Sequence, residues 1–279
     1  MTVKVALIQL SSSDDPAANL LATKTQIEAA AKMGATFILT PEVTNCVSLS
    51  RKHQHDVLQT EDQDITLATL RQQTRSLGVW LLIGSLALKT EDPNDARFVN
   101  RSFLISPEGE IAGRYDKIHM FDVQLSETET YRESDGYRPG ETNTLAEVDG
   151  IGVGMTICYD VRFPYLYRGL AKAGAKILTV PAAFSTDTGP DHWETLLKAR
   201  AIETGSFVLA PAQCGTHLVQ SGRARQTYGH SLAIDPWGRV LADGEDRPGI
   251  TMVDLDLSLV DDTRRRLPSL EHERDYQKA

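Results

Sequence analysis

Three residues of this chain have the types needed for acyl transfer by a thiol: Glu42, Lys117 and Cys158, each just after an apolar, strand-like run. A free thiol titrates near about 8.5, so only a few per cent is thiolate at neutral pH. A carboxylate beside it can take the proton and later return it to the leaving amine, help of about 10²–10⁴-fold. A lysine ammonium can meet the charge that develops on the carbonyl oxygen, where losing one donor costs roughly 3 kcal/mol or more. The backbone N–H of Tyr159, next to the cysteine, is a natural second donor. Taken singly, Glu42 could cap a turn, Lys117 could be a surface lysine and Cys158 a core thiol. Their shared placement after strands carries the argument, because the ends of different strands in an α/β sheet meet at one cleft.

The elements that must position them follow from pattern and punctuation. Val3–Gln9 reads as a buried strand, and Asp14-Asp15-Pro16 opens a helix that Gly34 stops. Thr36–Leu39 is the next strand, broken at Thr40-Pro41 so that Glu42 lies beyond its end. A polar stretch from Ser48 to Asp62 leads to a helix near Asp64–Ser76, closed by Gly78, and then to the strand Val79–Leu88. The hairpin Asn100–Ile105 and Ile111–Tyr115 delivers Lys117, and a long loop runs from Ile118 to Gly140. A second hairpin, Thr144–Val148 and Ile151–Ile157, delivers Cys158. A helix then opens near Pro164, and its N-terminus favours a thiolate. Afterwards the grammar repeats: helix to Ala173, strand Lys176–Val180, helix Asp191–Glu203, strand Phe207–Ala210. A hairpin follows (Tyr228–Ile234, Arg239–Ala242), then a strand (Ile250–Asp256) and a short helix before Pro268. Glu271–Ala279 reads as an exposed tail or swapped arm.

Nothing in the 279 residues divides the chain, so one domain is expected over 1–279, with a core of about 3–256 and a C-terminal helix and tail over 257–279. The net charge of −9 argues against nucleic-acid or anionic-membrane partners. The basic run Arg264-Arg265-Arg266 reads as a solvated or inter-subunit face. Three scattered cysteines without a CxxC pair exclude a disulfide framework and disfavour structural zinc. No metal or cofactor is expected. With no apolar run long enough for a membrane span and no secretory pattern after Met1, the expected location is cytoplasmic.

The motifs also resemble a known family. Thr40-Pro41-Glu42, Arg114-Tyr115-Asp116-Lys117-Ile118-His119 and Gly154–Pro164 around Cys158 are similar to the Glu-Lys-Cys signature of the nitrilase superfamily of carbon–nitrogen hydrolases. Pro181-Ala182-Ala183-Phe184, His192-Trp193, Ala199–Glu203 and Tyr228-Gly229-His230-Ser231 extend the resemblance from about Val3 to Asp256. It implies a four-layer αββα sandwich, commonly paired into homodimers through outer helices. By position it implies Cys158 as nucleophile, Glu42 as base and acid, Lys117 as oxyanion stabiliser, and Glu133 as a second glutamate beside the lysine. Tyr159 and Phe184 fall where substrate contacts are expected, and Arg132 and Arg162 are carboxylate partners by charge alone.

Cys-Tyr-Asp-x-Arg-Phe-Pro and Ala212-Gln213-Cys214-Gly215 resemble the amidase branch that acts on deaminated glutathione or, in its omega-amidase relatives, on α-ketoglutaramate. The expected reaction releases an acid and ammonia from a small carboxylate-bearing amide through a thioester. Carbamoylase or nitrilase activity, and a catalytically silent binding role on the same fold, are the alternatives. A Cys–His pair using His192 or His230 is the mechanistic rival. Tyr165 departs from the family pattern, in which a glutamate follows Phe-Pro.

Overall fold

Alternation along the first strand, β1 (Thr2–Gln9), sets the layering. Val3, Val5 and Leu7 enter one apolar core while Ala6 and Ile8 enter another on the opposite face. A strand buried on both faces must divide its side chains in this way. The computed structural model in which this is seen describes residues 1–92, 94–124, 130–220 and 222–277. Part of the loop read at Ile118–Gly140, and the last two positions of the tail, lie outside the described residues.

The first half runs β1, α1 (Pro16–Lys32), β2 (Phe37–Leu39), α2 (Arg51–Val57), α3 (Ile65–Leu77), β3 (Trp80–Lys89), β4 (Phe98–Ile105) and β5 (Ile111–Asp116). Two short strands, β6 (Asp122–Gln124) and β7 (Thr130–Arg132), form a ribbon of their own. The second half runs β8 (Thr144–Val148), β9 (Ile151–Met155), α4 (Pro164–Lys172), β10 (Ile177–Thr179), α5 (Gly189–Thr204) and β11 (Phe207–Ala210). It closes with β12 (Cys214–Thr216), β13 (Gln226–Tyr228), β14 (Leu232–Ile234), β15 (Val240–Asp243), β16 (Gly249–Asp256) and α6 (Ser258–Arg266).

One six-stranded sheet has the order β16-β1-β2-β3-β4-β5, and the other β15-β14-β11-β10-β9-β8. In each, three neighbouring strands are parallel: β1, β2 and β3 in the first, β9, β10 and β11 in the second. Ile27 and Ala30 of α1 with Leu67 and Leu70 of α3 cover the outer face of the first sheet. Leu166 and Leu170 of α4 with Trp193 and Leu197 of α5 pack on the second. Gly154 permits the latter contact, since a methyl there would lie 3.1 Å from Leu170 Cβ. Helix, sheet, sheet, helix is the layering that the resemblance implies.

The helix caps follow the punctuation. Asp15 accepts from the Ala17 and Ala18 N–H groups, and Asp64 from Leu67. Gly78 ends α3 in the left-handed region. Other expectations change. α2 lies inside the polar stretch Ser48–Asp62, for which no element was expected. The hairpin expected from Tyr228 begins only at Leu232, because Gly229 and His230 both turn to positive φ and assign Tyr228 to the β12–β13 pair. Arg264 is not on a solvated face: its guanidinium donates to the carbonyls of Thr204 and Ala175 and to Ser206 Oγ. Arg265 and Arg266 remain exposed. In the tail, Glu273 pairs with Arg168 and Lys172 of α4.

One backbone approach aims the site. The ladder of β3 with β4 shifts register between Ile83 and Leu86, and the chain leaving β2 tucks into that bulge. A Cβ on Gly84 would sit 2.0 Å from the Thr40 carbonyl oxygen and 2.5 Å from that of Pro41. Glycine is required there by space alone. Ser85 Oγ accepts from the Val43 N–H at 2.8 Å, and Ser85 N–H donates to Pro41 O at 3.2 Å. The turn bearing Glu42 is thereby tied to the middle of β3.

Candidate active site

Glu42, Lys117, Glu133 and Cys158 line a single cavity of about 320 Å³. Glu42 leaves the end of β2, Cys158 that of β9 and Lys117 that of β5, so the strand-end expectation is met at all three positions. Lys117 Nζ donates to Glu42 Oε1 at 2.9 Å and to both Glu133 carboxylate oxygens at 2.9 Å. The Lys117 side chain is 2% exposed and that of Glu42 5%, so these charges satisfy one another away from water.

Glu42 is held from every side. Oε1 also accepts from Asn100 Nδ2 at 2.9 Å, and Oε2 accepts from the Ala183 N–H at 2.8 Å. Gln213 Nε2 donates to the Glu42 carbonyl at 3.0 Å. The Cys158 thiol and the Glu42 carboxylate act on each other's titration across the cavity. Burial pushes Glu42 upward, but the Lys117 and Arg225 charges, with the Lys117 hydrogen bond, outweigh it. The carboxyl therefore titrates below its ordinary range. Burial pulls Lys117 down, but Glu133 and Glu42 raise it well above an ordinary lysine. Both are charged at neutral pH.

Cys158 contradicts one expectation. Burial and then the Glu42 charge push its thiol up, and Lys117 offsets only part of this. The predicted helix begins six residues later, at Pro164; Cys158 instead opens a short 3₁₀ turn, Cys158–Arg162, whose dipole is weak beside the desolvation. The resting sulfur is a neutral thiol in the same cavity as an ionised carboxylate, the pairing a general base needs. Cys158 has φ 48° and Val43, next to Glu42, has φ 46°. Positive φ is strained for both types, and it bends the chain where each functional side chain enters the cavity. Burial also raises Cys46 to about 12 and Cys214 to about 11, so neither competes as a thiolate.

Beneath the turn, fully buried Asp160 joins two walls of the site. Its carboxylate accepts from the Ile157 N–H at 2.9 Å, Tyr115 OH at 2.7 Å and the His119 N–H at 3.1 Å, and it contacts His119 Nδ1 at 2.6 Å. The cysteine turn and the segment after Lys117 are therefore braced by one side chain. His119 Nε2 meets the Tyr165 hydroxyl, so the departure at Tyr165 alters the outer end of this brace and leaves the cavity unchanged.

Of the expected substrate contacts, Tyr159, Phe184 and Arg132 line the cavity. Arg162 does not. Its guanidinium lies 5.7 Å from the Tyr159 ring centre and 5.6 Å from that of Phe184, and it contacts His192 Nδ1. It does not pair with Asp160 either, whose oxygens are taken by Tyr115, His119 and Ile157. The Cys–His rival fails on position: His192 faces Arg162, His230 faces Asp243, and neither reaches the cavity. Sequence reasoning missed Arg51, Arg223 and Arg225, which also line it. It missed Asn100 as well, although hairpin register pairs Arg101 with Asp116 and so sets Asn100 beside Lys117. Among the described residues, no group of three His, Cys, Asp or Glu side chains is disposed to hold a metal ion. No helix among them is long and apolar enough to cross a membrane.

Residues 4–265 match the family model described as carbon-nitrogen hydrolase. A deaminated glutathione amidase of Yersinia enterocolitica is 38% identical over 271 residues, 97% of this chain and 92% of that protein. The protein of that name from Mus musculus is 35% identical, with 97% and 83% covered. In structure the chain is similar to Caenorhabditis elegans NitFhit, with TM-score 0.89 and 34% identity, over 98% of this chain and 65% of that longer one. It is also similar to Saccharomyces cerevisiae Nit3, a member of branch 10 of the nitrilase superfamily, with TM-score 0.85, 28% identity, and 98% and 97% covered.

Proposed function

Since this chain belongs to the carbon–nitrogen hydrolase family and is a hydrolase of carbon–nitrogen bonds, we propose that it cleaves an amide of a small linear carboxylic acid, of the deaminated-glutathione type, through a thioester on Cys158. One observation carries this reading: a neutral thiol sharing a cavity with the Glu42 carboxylate, with Lys117 held between Glu42 and Glu133 and arginines also on the wall.

In this mechanism Glu42 takes the thiol proton as sulfur attacks the amide carbon. Lys117 Nζ and the Tyr159 N–H meet the oxyanion, replacing water with fixed dipoles and charge. Glu133 keeps the ammonium aimed. The C–N bond breaks as Glu42 returns the proton to the departing nitrogen, leaving the thioester. Water then attacks the thioester carbon, Glu42 takes its proton, and the acid leaves as the thiol is restored.

The leaving group refines the expectation of ammonia. A tripeptide-derived acid such as deaminated glutathione carries secondary amides only, so its cleavage frees an amine, whereas a primary ω-amide frees ammonia. The test is therefore a panel read for both products: deaminated glutathione, α-ketoglutaramate, a carbamoyl amino acid, a neutral aliphatic amide and a nitrile. Turnover of either of the first two, with an acyl adduct on Cys158 in the intact mass, is the expected result. Turnover restricted to neutral amides or nitriles, or silence with no adduct, overturns the reading.

We also infer a cytoplasmic, reducing setting, because all three cysteines are free. Pairing of two copies through the outer helices fits the exposed Tyr165, Ile202 and Leu259 on α4, α5 and α6. A monomeric mass by light scattering would remove that part of the reading.

A further inference from the structure

The arginines on the cavity wall are not equivalent. Arg225 Nη2 donates to the Ala183 carbonyl at 2.6 Å, and its charge acts on Glu42. Arg132 is the cross-strand partner of Asp122 and helps hold that carboxyl down. Arg223 is exposed. Arg51 is half-buried, as Arg225 is, but it makes no hydrogen bond to a backbone carbonyl and, among the described residues, no ion pair with a carboxylate.

Its guanidinium is nevertheless fixed. Nη1 donates to Gln54 Oε1 at 3.0 Å, and Gln54 Nε2 donates in turn to the Tyr137 hydroxyl at 2.9 Å. The guanidinium carbon stands 5.0 Å from the Tyr137 ring centre. On another side it abuts the backbone of Gly136, where a Cβ would fall 1.9 Å from Arg51 Cζ. A half-buried cation held by a neutral amide, a ring and a bare backbone, with unused donors at a cavity wall, lacks an anion. Such a planar fork matches a carboxylate, and pre-ordering lowers the entropy lost on binding.

We propose that Arg51 binds the carboxylate on the acyl part of the substrate and thereby sets the preference for acidic over neutral amides. This rests on the amidase reading above. The acyl part is the portion that stays attached to Cys158 after the amine departs, so it needs a fixed subsite through both half-reactions. A half-buried, pre-ordered guanidinium suits that role better than an exposed one. Val43, Cys46 and Val47 supply apolar wall for the connecting methylenes.

The experiment pairs succinamate with butyramide and glutaramate with pentanamide, each pair having carboxylate or methyl at the same chain position. Arg51→Gln is expected to raise KM for the two acids about tenfold or more, as loss of a charge-assisted hydrogen bond does, with the neutral amides nearly unchanged. Added guanidinium should partly restore Arg51→Ala on the acids alone, an effect no merely structural role produces. Calorimetric titration with succinate separates the two readings. Turnover of the acids with succinate binding unaltered in Arg51→Gln, or equal losses on acids and neutral amides, overturns this inference and leaves the amidase. Succinate binding that depends on Arg51 without any turnover retains the subsite and removes the amidase reading. Neither binding nor turnover removes both.

Discussion

Replacing Cys158 with alanine removes turnover, on the order of 10⁶-fold as for other nucleophile deletions, while the unfolding midpoint stays near that of the wild type. The variant loses one sulfur from a turn braced through Asp160 and the backbone bond from Cys158 N–H to Pro181 O, so its shape persists. Glu42→Gln provides the sharper companion. Its hydrolysis falls about 10³-fold, within the 10²–10⁴ assigned to a proton-transferring group. Its cysteine, however, becomes easier to alkylate. The Glu42 charge is one of the forces raising the thiol, and Lys117 is one that lowers it. Removing the carboxylate takes away one force that raises the thiol, while Lys117, still held by Glu133, keeps lowering it, so the sulfur shifts toward thiolate. Iodoacetamide modification at neutral pH should therefore quicken as catalysis slows. If both rates fall together, Glu42 is supporting the local structure and is not the base.

Much of the fold was legible because apolar runs and stop signals agree with it. Phe37 and Leu39 face one core and Ile38 the other, yet their uninterrupted apolar run already marks a short buried strand. Asp15, Asp64, Gly34 and Gly78 mark helix ends by chemistry that needs no tertiary contact. α2 was not legible. Its sequence, Arg-Lys-His-Gln-His-Asp-Val, has no apolar period, and it is held by Ser50 at its start, by His53 on the Asp14 carbonyl and by Gln54 on Tyr137. Two of these three partners lie far away in the chain. The β6–β7 ribbon is hidden for the same reason: short polar strands show no periodicity.

In the site, residue types after strand ends were enough to single out Glu42, Lys117 and Cys158. Their protonation was not. A helix N-terminus pointed toward thiolate, whereas burial, which sequence does not display, decides for thiol. The bonds around Glu42 come from Asn100, Ala183 and Gln213, which converge only when the sheets pack. Arg162 was singled out by charge, and folding sends it behind Tyr159 and Phe184. Arg51 was passed over because nothing local distinguishes it from other polar residues. Its ordered environment arises from Gly136 and Tyr137, eighty-odd positions away.

Lys117→Ala should be the most damaging single change for stability, with a large loss of activity besides. It leaves Glu42 and Glu133 facing each other across a buried gap, and breaking a buried pair in this way costs about 3–5 kcal/mol. The pH dependence has a definite sign. Lys117 is raised above its ordinary 10.5, so its contribution is complete below that value and is lost only as pH rises through the raised one. Glu42 is lowered from its ordinary 4.5, so its contribution is present above 4.5 and is lost as pH falls through the depressed value. The difference in stability between wild type and Lys117→Ala should therefore be greatest near neutrality and shrink below pH 4.5. Without Lys117, burial acts on Glu42 with Arg225 and the Asn100 and Ala183 donors opposing it, and the carboxyl titrates higher. The acid limb of kcat/KM should therefore move to higher pH in the variant. Activity at pH 7 then falls about 10²–10³-fold from the missing oxyanion donor. A variant that unfolds at the wild-type midpoint and keeps its acid limb would show that Lys117 neither offsets the two carboxylates nor keeps Glu42 ionised.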